Sequence, residues 1–299
     1  MPEILVNPPA PGSPEWRRMI TASKIPAILG VSRYKSQFAL WHEMAGTIDP
    51  TPMDPRRAAW GHAAELAIAQ QWAVLNPGWK LNPLRNGTHE LAYRTDHGFP
   101  SLATLDRRAY KGGAFHLIEC KTARDLNDWG REGEKDAVPA DYFAQVIWQM
   151  GQSGIHKATI GVLGYGSGPE FHEVEWNPEM YALLVDAAAR WYQSLIDGVE
   201  PELDGTTATY EAIRGLHPDI EKGTEVEIPQ DMATDYLAAV AAEKEAKTEL
   251  TLQKSRMLKL MGNTHKAMCE GQKIADRRPT ARGVAIYANT KADPYAIAS

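Results

Sequence analysis

The sequence predicts a mixed α/β (α+β) core with a central mixed sheet flanked by helices, followed by a long helix and a tail. Helical and strand-like patterns alternate from Glu15 to about Asp197. The strand-like stretches come in pairs separated by glycine-rich turns, which indicates hairpins. After Pro201 the composition shifts towards strong helix formers. These features favour a single sheet-containing core of about 200 residues with a separate C-terminal extension.

The elements of the core follow from local patterns. Apolar periodicity and stop signals predict helices over 24–29, 58–75, 139–151 and 178–197. Alternating apolar residues predict strands over 89–93, 102–110, 114–122, 157–163 and 171–176. The turn Lys111-Gly112-Gly113 joins two of these strands as a hairpin.

The C-terminal third predicts one long helix. Residues from about Gln230 to Met261 are rich in Ala, Glu, Lys and Leu, and a helix of that length spans roughly 45–50 Å. Its middle is polar, so we expect a largely solvated helix that packs on the core or on a partner. A basic tail follows, with a hairpin expected at Glu270-Gly271. We therefore divide the chain into an extended proline-rich arm (1–14), a core (15–205) and a helical extension with a basic tail (206–299).

Composition excludes several classes of protein. A net charge of −6 argues against a strongly basic coating protein, but not against a nuclease with a basic channel. Two cysteines cannot build a disulfide framework. The sequence contains no run of about 18 apolar residues, so it predicts no membrane span. Its first residues lack the pattern of a signal peptide. We expect a protein of the cytoplasm without membrane contact.

One strand pair carries the strongest chemical signal. In the strand 114–122, Glu119 and Lys121 alternate with Ile118 and Cys120, so the two charged side chains point to one face. The hairpin partner brings Asp106 alongside. Two converging carboxylates bind a hard divalent cation well, and a neighbouring lysine can orient an attacking water. The alternative is an exposed ion pair without a function.

Two helices offer further polar candidates. Glu65 is the one formally charged residue in the helix 58–75, which is apolar on most sides and therefore expected to be buried. Burial would require a basic or metal partner, whereas a surface position would not. In the helix 139–151, Gln145 lies on a face with Tyr142, Gln149 and Gln152. These amides can hydrogen-bond a water or a phosphate, although a solvated polar face is the simpler interpretation.

Other catalytic motifs are missing. No Lys-Ser/Thr pair follows the glycines of 161–168, which excludes a P-loop, and no G-x-S-x-G elbow occurs. The histidines and Cys120 show no zinc-ligand spacing in the sequence.

The candidate residues occur in an ordered set of short motifs. The set comprises Ile20-Thr21-Ala22-Ser23, Trp60-Gly61-His62-Ala63-Ala64-Glu65, Leu105-Asp106, Ile118-Glu119-Cys120-Lys121 and Ala144-Gln145-Val146. In this order the chain resembles the YqaJ-type viral recombinases, a phage lambda exonuclease-like family of the PD-(D/E)xK nuclease superfamily. The resemblance covers about residues 15–200.

The resemblance implies a restriction-endonuclease-like core and a metal-dependent exonuclease. Such an enzyme degrades one strand of linear double-stranded DNA 5′ to 3′ and leaves 3′ overhangs for recombination. The implied cofactor is Mg²⁺, with Mn²⁺ as a substitute. Its implied ligands are Asp106, Glu119 and the Cys120 carbonyl, with Glu65 assisting at the metal cluster. Lys121 would activate the water, and Gln145 matches a glutamine of the active-site helix.

The resemblance also implies contacts beyond the metal. Ser23, with Arg17 or Arg18, matches the region that grips a 5′-phosphate. Relatives form a trimeric ring around DNA and act with a single-strand annealing protein. The chain departs from the family pattern at Leu105, where proline is usual, and at Arg107, where glycine is common. A structure-specific or nicking endonuclease, and a catalytically silent DNA-binding scaffold, stay open as alternatives.

Overall fold

The computed structural model describes residues 2–85, 87–134, 136–166, 168–281, 283–290 and 292. The chain divides into two compact units, Met1–Ile220 and Glu221–Ser299. Within the described ranges, no helix has both the length and the apolar character that a bilayer-spanning segment needs.

The first unit alternates helices and strands, as the sequence predicts. Its helices are α1 Pro14–Arg18, α2 Ile25–Ile28, α3 Gln37–Ala45, α4 Pro55–Leu75, α5 Ala140–Ser153, α6 Pro178–Asp197 and α7 Thr207–Leu216. Its strands are β1 Glu3–Ile4, β2 Ile20–Thr21, β3 Lys80–Leu81, β4 Leu91–Arg94, β5 Ser101–Leu105, β6 Arg107–Lys111, β7 Ala114–Thr122, β8 Lys157–Leu163 and β9 Pro169–Glu175.

These strands form two sheets. A five-stranded sheet has the order β3-β6-β7-β8-β9, and a four-stranded sheet has the order β1-β4-β5-β2. Both are mixed, because β7 pairs with β8 and β2 pairs with β5 in parallel while the other pairs are antiparallel. Helix α4 packs against Ile118 and Cys120 on one face of β7. Leu117 points to the opposite face and belongs to the core that contains α5. The predicted mixed sheet flanked by helices is confirmed.

The hairpin between β6 and β7 is built on the predicted turn. Lys111 pairs with Ala114, so only Gly112 and Gly113 form the loop. Both glycines have positive φ, 57° and 88°. A two-residue loop with two left-handed residues matches the twist of the strands and is strained for any residue with a Cβ. The turn therefore fixes the register in which Arg107 faces Ile118.

The strand predicted over 102–110 is two strands rather than one. It breaks at Asp106, where the chain leaves the four-stranded sheet as β5 and enters the five-stranded sheet as β6. Continuing the β6–β7 register would place Leu105 opposite Cys120, but Leu105 instead pairs with Leu91. Asp106 is thus the single residue between the two sheets.

Helix α4 is less buried than its apolar composition predicts. Only one stripe is buried, formed by Ala64, Ile68, Ala69 and Trp72. Trp60 is 60% exposed, and Leu66, Val74 and Leu75 are also exposed. The expectation that this helix is buried on most sides was therefore wrong, since a single sheet face covers one stripe of a helix and no more.

Helix α5 has nine buried residues out of 14, the largest number in any helix of the first unit. Gly151 allows this packing, because a Cβ there would lie 2.1 Å from the ring of Tyr181 in α6. On its other side α5 bonds to β5, where the indole of Trp148 donates to the Leu102 carbonyl at 3.3 Å. Helix α5 thereby connects the helical layer to the strand that leads into Asp106.

The second unit contains the long helix and a small sheet. Helix α8 spans Gln230–Met261, as predicted, and Met261 is its one buried residue among those described. Strands β10 Lys266–Cys269, β11 Gln272–Thr280 and β12 Gly283–Ala288 form an antiparallel sheet, and the expected hairpin at Glu270-Gly271 joins the first two. Arg282, Lys291 and residues 293–299 of the predicted basic tail lie outside the described residues. The division at 205/206 stays a prediction.

Candidate active site

Asp106 is anchored to β7 by its side chain. Its Oδ2 accepts a hydrogen bond of 2.8 Å from the backbone amide of Cys120, the residue after Glu119. The Asp106 carbonyl accepts a second bond from Arg107 Nη1 at 2.7 Å. The side chain therefore takes over an amide that a continuous β-ladder would have used, and the break between β5 and β6 delivers the carboxyl group to the neighbourhood of Glu119.

Glu119 is a buried carboxylate held by two amide side chains. It is 1% exposed. Gln145 Nε2 donates to its Oε1 at 2.6 Å, and Gln149 Nε2 donates to its Oε2 at 2.6 Å. Both glutamines lie on α5, one turn apart. Because both amides are neutral donors, they fix the orientation of the carboxylate without adding a charge.

Lys121 completes the cluster on the same face of β7. Its Nζ donates to Glu119 Oε1 at 2.5 Å and to Gln145 Oε1 at 3.2 Å, and it lies 5.1 Å from the ring centroid of Tyr142. Burial alone would lower the pKa of Lys121, but Glu119 and Asp106 raise it above its ordinary value. The lysine is therefore an ammonium group over the full physiological pH range.

The acidic groups oppose one another electrostatically. Burial raises the pKa of Asp106 well above its ordinary value, and the nearby charges of Glu119 and Glu65 raise it further. Lys121 and the Cys120 amide act in the opposite direction. The ammonium group of Lys121 and the guanidinium group of Arg107 do not balance three carboxyl groups in a partly desolvated site. An additional cation would relieve this repulsion.

Glu65 projects from α4, beside a second group of ligating side chains. Its Oε1 lies 3.5 Å from Nδ1 of His62, one turn earlier. One potential ligand atom from each of His62, Glu65 and Glu90 lies within 4.8 Å of the others. Burial raises the pKa of Glu65, with Glu90 and Glu119 adding to the effect and His62 and Arg107 reducing it. This trio was not predicted from the sequence, because Glu90 lies in a distant segment of the chain.

The donor set fits a hard divalent cation. Asp106 and Glu119 supply carboxylate oxygens, which Mg²⁺ and Mn²⁺ prefer, and Glu65 adds a third carboxyl group within electrostatic range. Asp106 and Glu119 converge without a lysine or arginine bridge between them among the described residues. The roles of these residues and of the Cys120 carbonyl stay predictions.

The glutamine face of α5 is not solvated, contrary to the simpler interpretation of the sequence. Gln149 is 1% exposed and Gln152 is fully buried. Gln149 was absent from the predicted site residues, although it contacts Glu119 as closely as Gln145 does. The spacing of four residues from Gln145 was the available signal, since residues at i and i+4 share one helix face.

The predicted phosphate-binding residues lie around α1 and β2. Ser23 is exposed, and its hydroxyl lies 3.1 Å from that of Thr21. Arg17 forms an ion pair with Asp49 at 3.1 Å, while Arg18 is exposed. Buried Lys24 holds this segment together by donating to the carbonyls of Trp16, Arg17 and Met19 at 2.7–3.0 Å. None of the hydrogen bonds or ion pairs found within the described ranges joins Ser23, Arg17 or Arg18 to the acidic cluster.

Known proteins with similar structures include two exonucleases. LHK-Exo, an alkaline exonuclease from Laribacter hongkongensis, has a TM-score of 0.44 at 13% identity and covers 60% of this chain and 89% of its own. A phage-related exonuclease from Haemophilus somnus 129PT has a TM-score of 0.40 at 15% identity and covers 61% of this chain and 96% of its own.

Sequence comparison gives a more direct relationship. The uncharacterized protein YqaJ of Bacillus subtilis (strain 168) is 25% identical over 235 residues, which is 76% of this chain and 70% of that protein. The model of the YqaJ-like viral recombinase domain matches residues 15–156, a range that includes every residue of the candidate site. The resemblance that the motifs predict is therefore confirmed: residues 15–156 are similar to the YqaJ-like viral recombinase domain.

Proposed function

We propose that this protein is a metal-dependent exonuclease that digests one strand of linear double-stranded DNA. The observation that carries the proposal is the cluster of Asp106, Glu119 and Lys121, in which Asp106 bonds to the backbone of β7 beside Glu119 and the lysine is bonded to Glu119. The match of residues 15–156 to the YqaJ-like viral recombinase domain supports a nuclease function. An acid pair with a lysine is also the donor set that phosphodiester hydrolysis with a divalent cation requires.

Each residue of the cluster has a distinct role in this proposal. Asp106, Glu119 and the Cys120 carbonyl hold Mg²⁺, for which Mn²⁺ can substitute, and Glu65 assists at the metal cluster. When bound, the cation supplies Lewis-acid stabilisation of the phosphate and activation of a water. Lys121, kept charged by its acidic neighbours, orients the attacking water and opposes the negative charge that develops on the phosphate. Gln145 fixes both Glu119 and Lys121.

The finer features of the reaction follow from the family resemblance. We propose digestion in the 5′ to 3′ direction, which leaves 3′ single-stranded overhangs for homologous recombination. Ser23, with Arg17 or Arg18, would hold the terminal 5′-phosphate. The assembly would be a homotrimeric ring at a DNA end, and a single-strand annealing protein would receive the product strand.

Digestion of end-labelled linear duplex DNA tests the reaction and its polarity. We expect degradation with Mg²⁺ that stops when the 5′ ends are blocked and continues when the 3′ ends are blocked. A covalently closed circle should stay intact. Cleavage of the circle would replace the exonuclease proposal by an endonuclease, and inhibition by 3′ blocks alone would reverse the polarity.

The variant Lys121→Ala tests the mechanism. We expect the rate of Mg²⁺-dependent digestion to fall by about 1,000-fold, because the ammonium group acts on the transition state rather than on substrate binding. Affinity for duplex DNA, measured by fluorescence anisotropy, should stay within about threefold of the parent protein. Undiminished digestion would remove Lys121 from the mechanism, and unmeasurable activity in the parent protein with either cation would favour a silent scaffold.

A further inference from the structure

Two buried glutamines on α5 have different surroundings. Gln149 and Gln152 are one turn apart, and both are almost fully buried, at 1% and 0% exposure. Gln152 Nε2 donates to Ser101 Oγ at 3.2 Å, and its Oε1 accepts from the Thr95 amide at 2.7 Å. Gln152 therefore bonds only to the scaffold. Gln149 Nε2 instead donates both to Glu119 Oε2 at 2.6 Å and to the Thr104 carbonyl at 2.9 Å.

The orientation of the Gln149 amide follows from these contacts. Both neighbours of the amide group are acceptors, so the NH₂ end must face them and the oxygen must point away. That oxygen is buried and has no hydrogen-bond partner among the described residues. An unsatisfied buried acceptor is unfavourable for stability. The position thus carries a stability cost that Gln152, with both ends of its amide bonded, does not.

We propose that Gln149 is a positioning residue for metal binding, which fixes the Glu119 carboxylate relative to Asp106. This inference rests on the proposed function. Glu119 belongs to the five-stranded sheet, whereas Thr104 lies in β5 of the four-stranded sheet, two residues before Asp106. By bonding to both, Gln149 joins the two segments that supply the acids. The rotation of the Glu119 side chain and the position of the segment leading to Asp106 are then coupled.

A glutamine suits this position for chemical reasons. Its NH₂ group offers two N–H donors, one for each acceptor, without a positive charge that would compete with the cation. A carboxylate would place a further negative charge beside Glu119, and an apolar side chain would leave a buried oxygen of Glu119 without this partner. Outer hydrogen bonds of this kind orient metal ligands, and removing one lowers metal affinity by about 10–100-fold.

The experiment compares Gln149→Met with the matched control Gln152→Met in the full-length chain. Each protein is titrated with Mn²⁺ alone by isothermal calorimetry, and its thermal unfolding is followed by circular dichroism. We expect Gln149→Met to weaken Mn²⁺ binding by about tenfold or more, and Gln152→Met to lower the unfolding temperature while leaving Mn²⁺ affinity unchanged. Steady-state digestion should show a lower kcat for Gln149→Met with an unchanged KM for DNA. Gln149→Leu provides a second variant in case the methionine variant does not fold.

The outcomes separate this inference from the proposed function. Parent-level Mn²⁺ affinity in a folded Gln149 variant would overturn the positioning role and leave the exonuclease proposal standing. Equal losses of affinity in the Gln149 and Gln152 variants would also overturn it, since the effect would then come from packing of α5. A parent protein without Asp106-dependent Mn²⁺ binding would overturn both.

Discussion

Helices α5 and α8 are both predicted from sequence, yet they differ in what they contribute. Helix α5 has 14 residues, of which nine are buried, and it bonds to Glu119 through two glutamines. Helix α8 has 32 residues and buries only Met261 among those described. The difference shows that length and helix propensity determine whether a helix forms, whereas the surrounding elements determine what its side chains do. Substitutions in the two regions should therefore differ in kind as well as in size.

The largest expected effect is at the acidic cluster next to α5. Asp106→Asn keeps an oxygen that accepts the Cys120 amide but removes one of the crowded negative charges. We expect digestion to fall by about 1,000-fold or more, because a ligand of the proposed cation loses its charge. The thermal unfolding temperature of the metal-free protein should rise, since burial, Glu119 and Glu65 all disfavour the ionised Asp106.

The digestion rate and the unfolding temperature of Asp106→Asn together test whether Asp106 serves the site or the fold. Calorimetric unfolding and single-turnover digestion on the same preparation would show stability and activity moving in opposite directions. A variant that loses both would indicate that Asp106 is needed mainly for the fold.

A second large effect concerns the core side of α5. Trp148 is fully buried and bonded to the Leu102 carbonyl. Trp148→Ala should lower the free energy of unfolding by about 3–5 kcal/mol, because it leaves a cavity between α5 and β5. Urea denaturation measures this change. A loss below about 1 kcal/mol would contradict the enclosed position of α5.

A smaller effect is a pH dependence within the first unit. His116 is buried beside Thr159, and burial together with the charge of Lys157 lowers its pKa to about 4. Between its ordinary value of 6.5 and about 4, the unfolded chain takes up a proton that the folded chain does not. His116 therefore contributes stability that is present above pH 6.5 and is lost as the pH falls towards 4.

The variant His116→Gln, whose side chain cannot titrate, tests this pH dependence of stability. The free energy of unfolding of the parent protein should fall more steeply than that of the variant between about pH 7 and about pH 5. Parallel pH profiles would show that His116 is protonated to the same extent in both states.

The smallest effect is expected in α8. Leu252 is 44% exposed, and leucine and glutamine have similar helix propensities. Leu252→Gln should change the free energy of unfolding by less than about 0.5 kcal/mol and leave digestion unchanged. A loss above about 1 kcal/mol in urea denaturation would contradict the exposure of this face.

Much of the fold was predictable because it depends on local patterns. The bounds of α6 and α8 and the Gly112-Gly113 hairpin follow from caps, propensities and turn residues close in the chain. The break at Asp106 did not follow, because it results from a side chain taking the amide of Cys120, which lies 14 residues away. The limited burial of α4 could not be predicted either, because composition does not tell how much of a helix the neighbouring sheet covers.

In the candidate site, too, local patterns were predictable and tertiary contacts were not. Strand alternation predicts that Glu119 and Lys121 share a face, and the structure bonds them to each other. Gln149 and Glu90 were missed for different reasons. The spacing of four residues indicates that Gln149 shares a helix face with Gln145, but it does not tell whether that face is buried or solvated. Glu90 meets His62 and Glu65 only through the tertiary fold.

The position of Asp106 between two sheets has a consequence for how the protein tolerates changes in length. A residue inserted into β5 or β6 would displace the carboxyl group from the Cys120 amide and turn every following side chain to the opposite face. At Gly112 and Gly113, no heavy atom lies within 4 Å of the position that a Cβ would take, so the tip of the hairpin borders open space. Length variation among proteins built on this plan should therefore accumulate at the tip of the hairpin, with the two strands beneath it kept constant in number of residues.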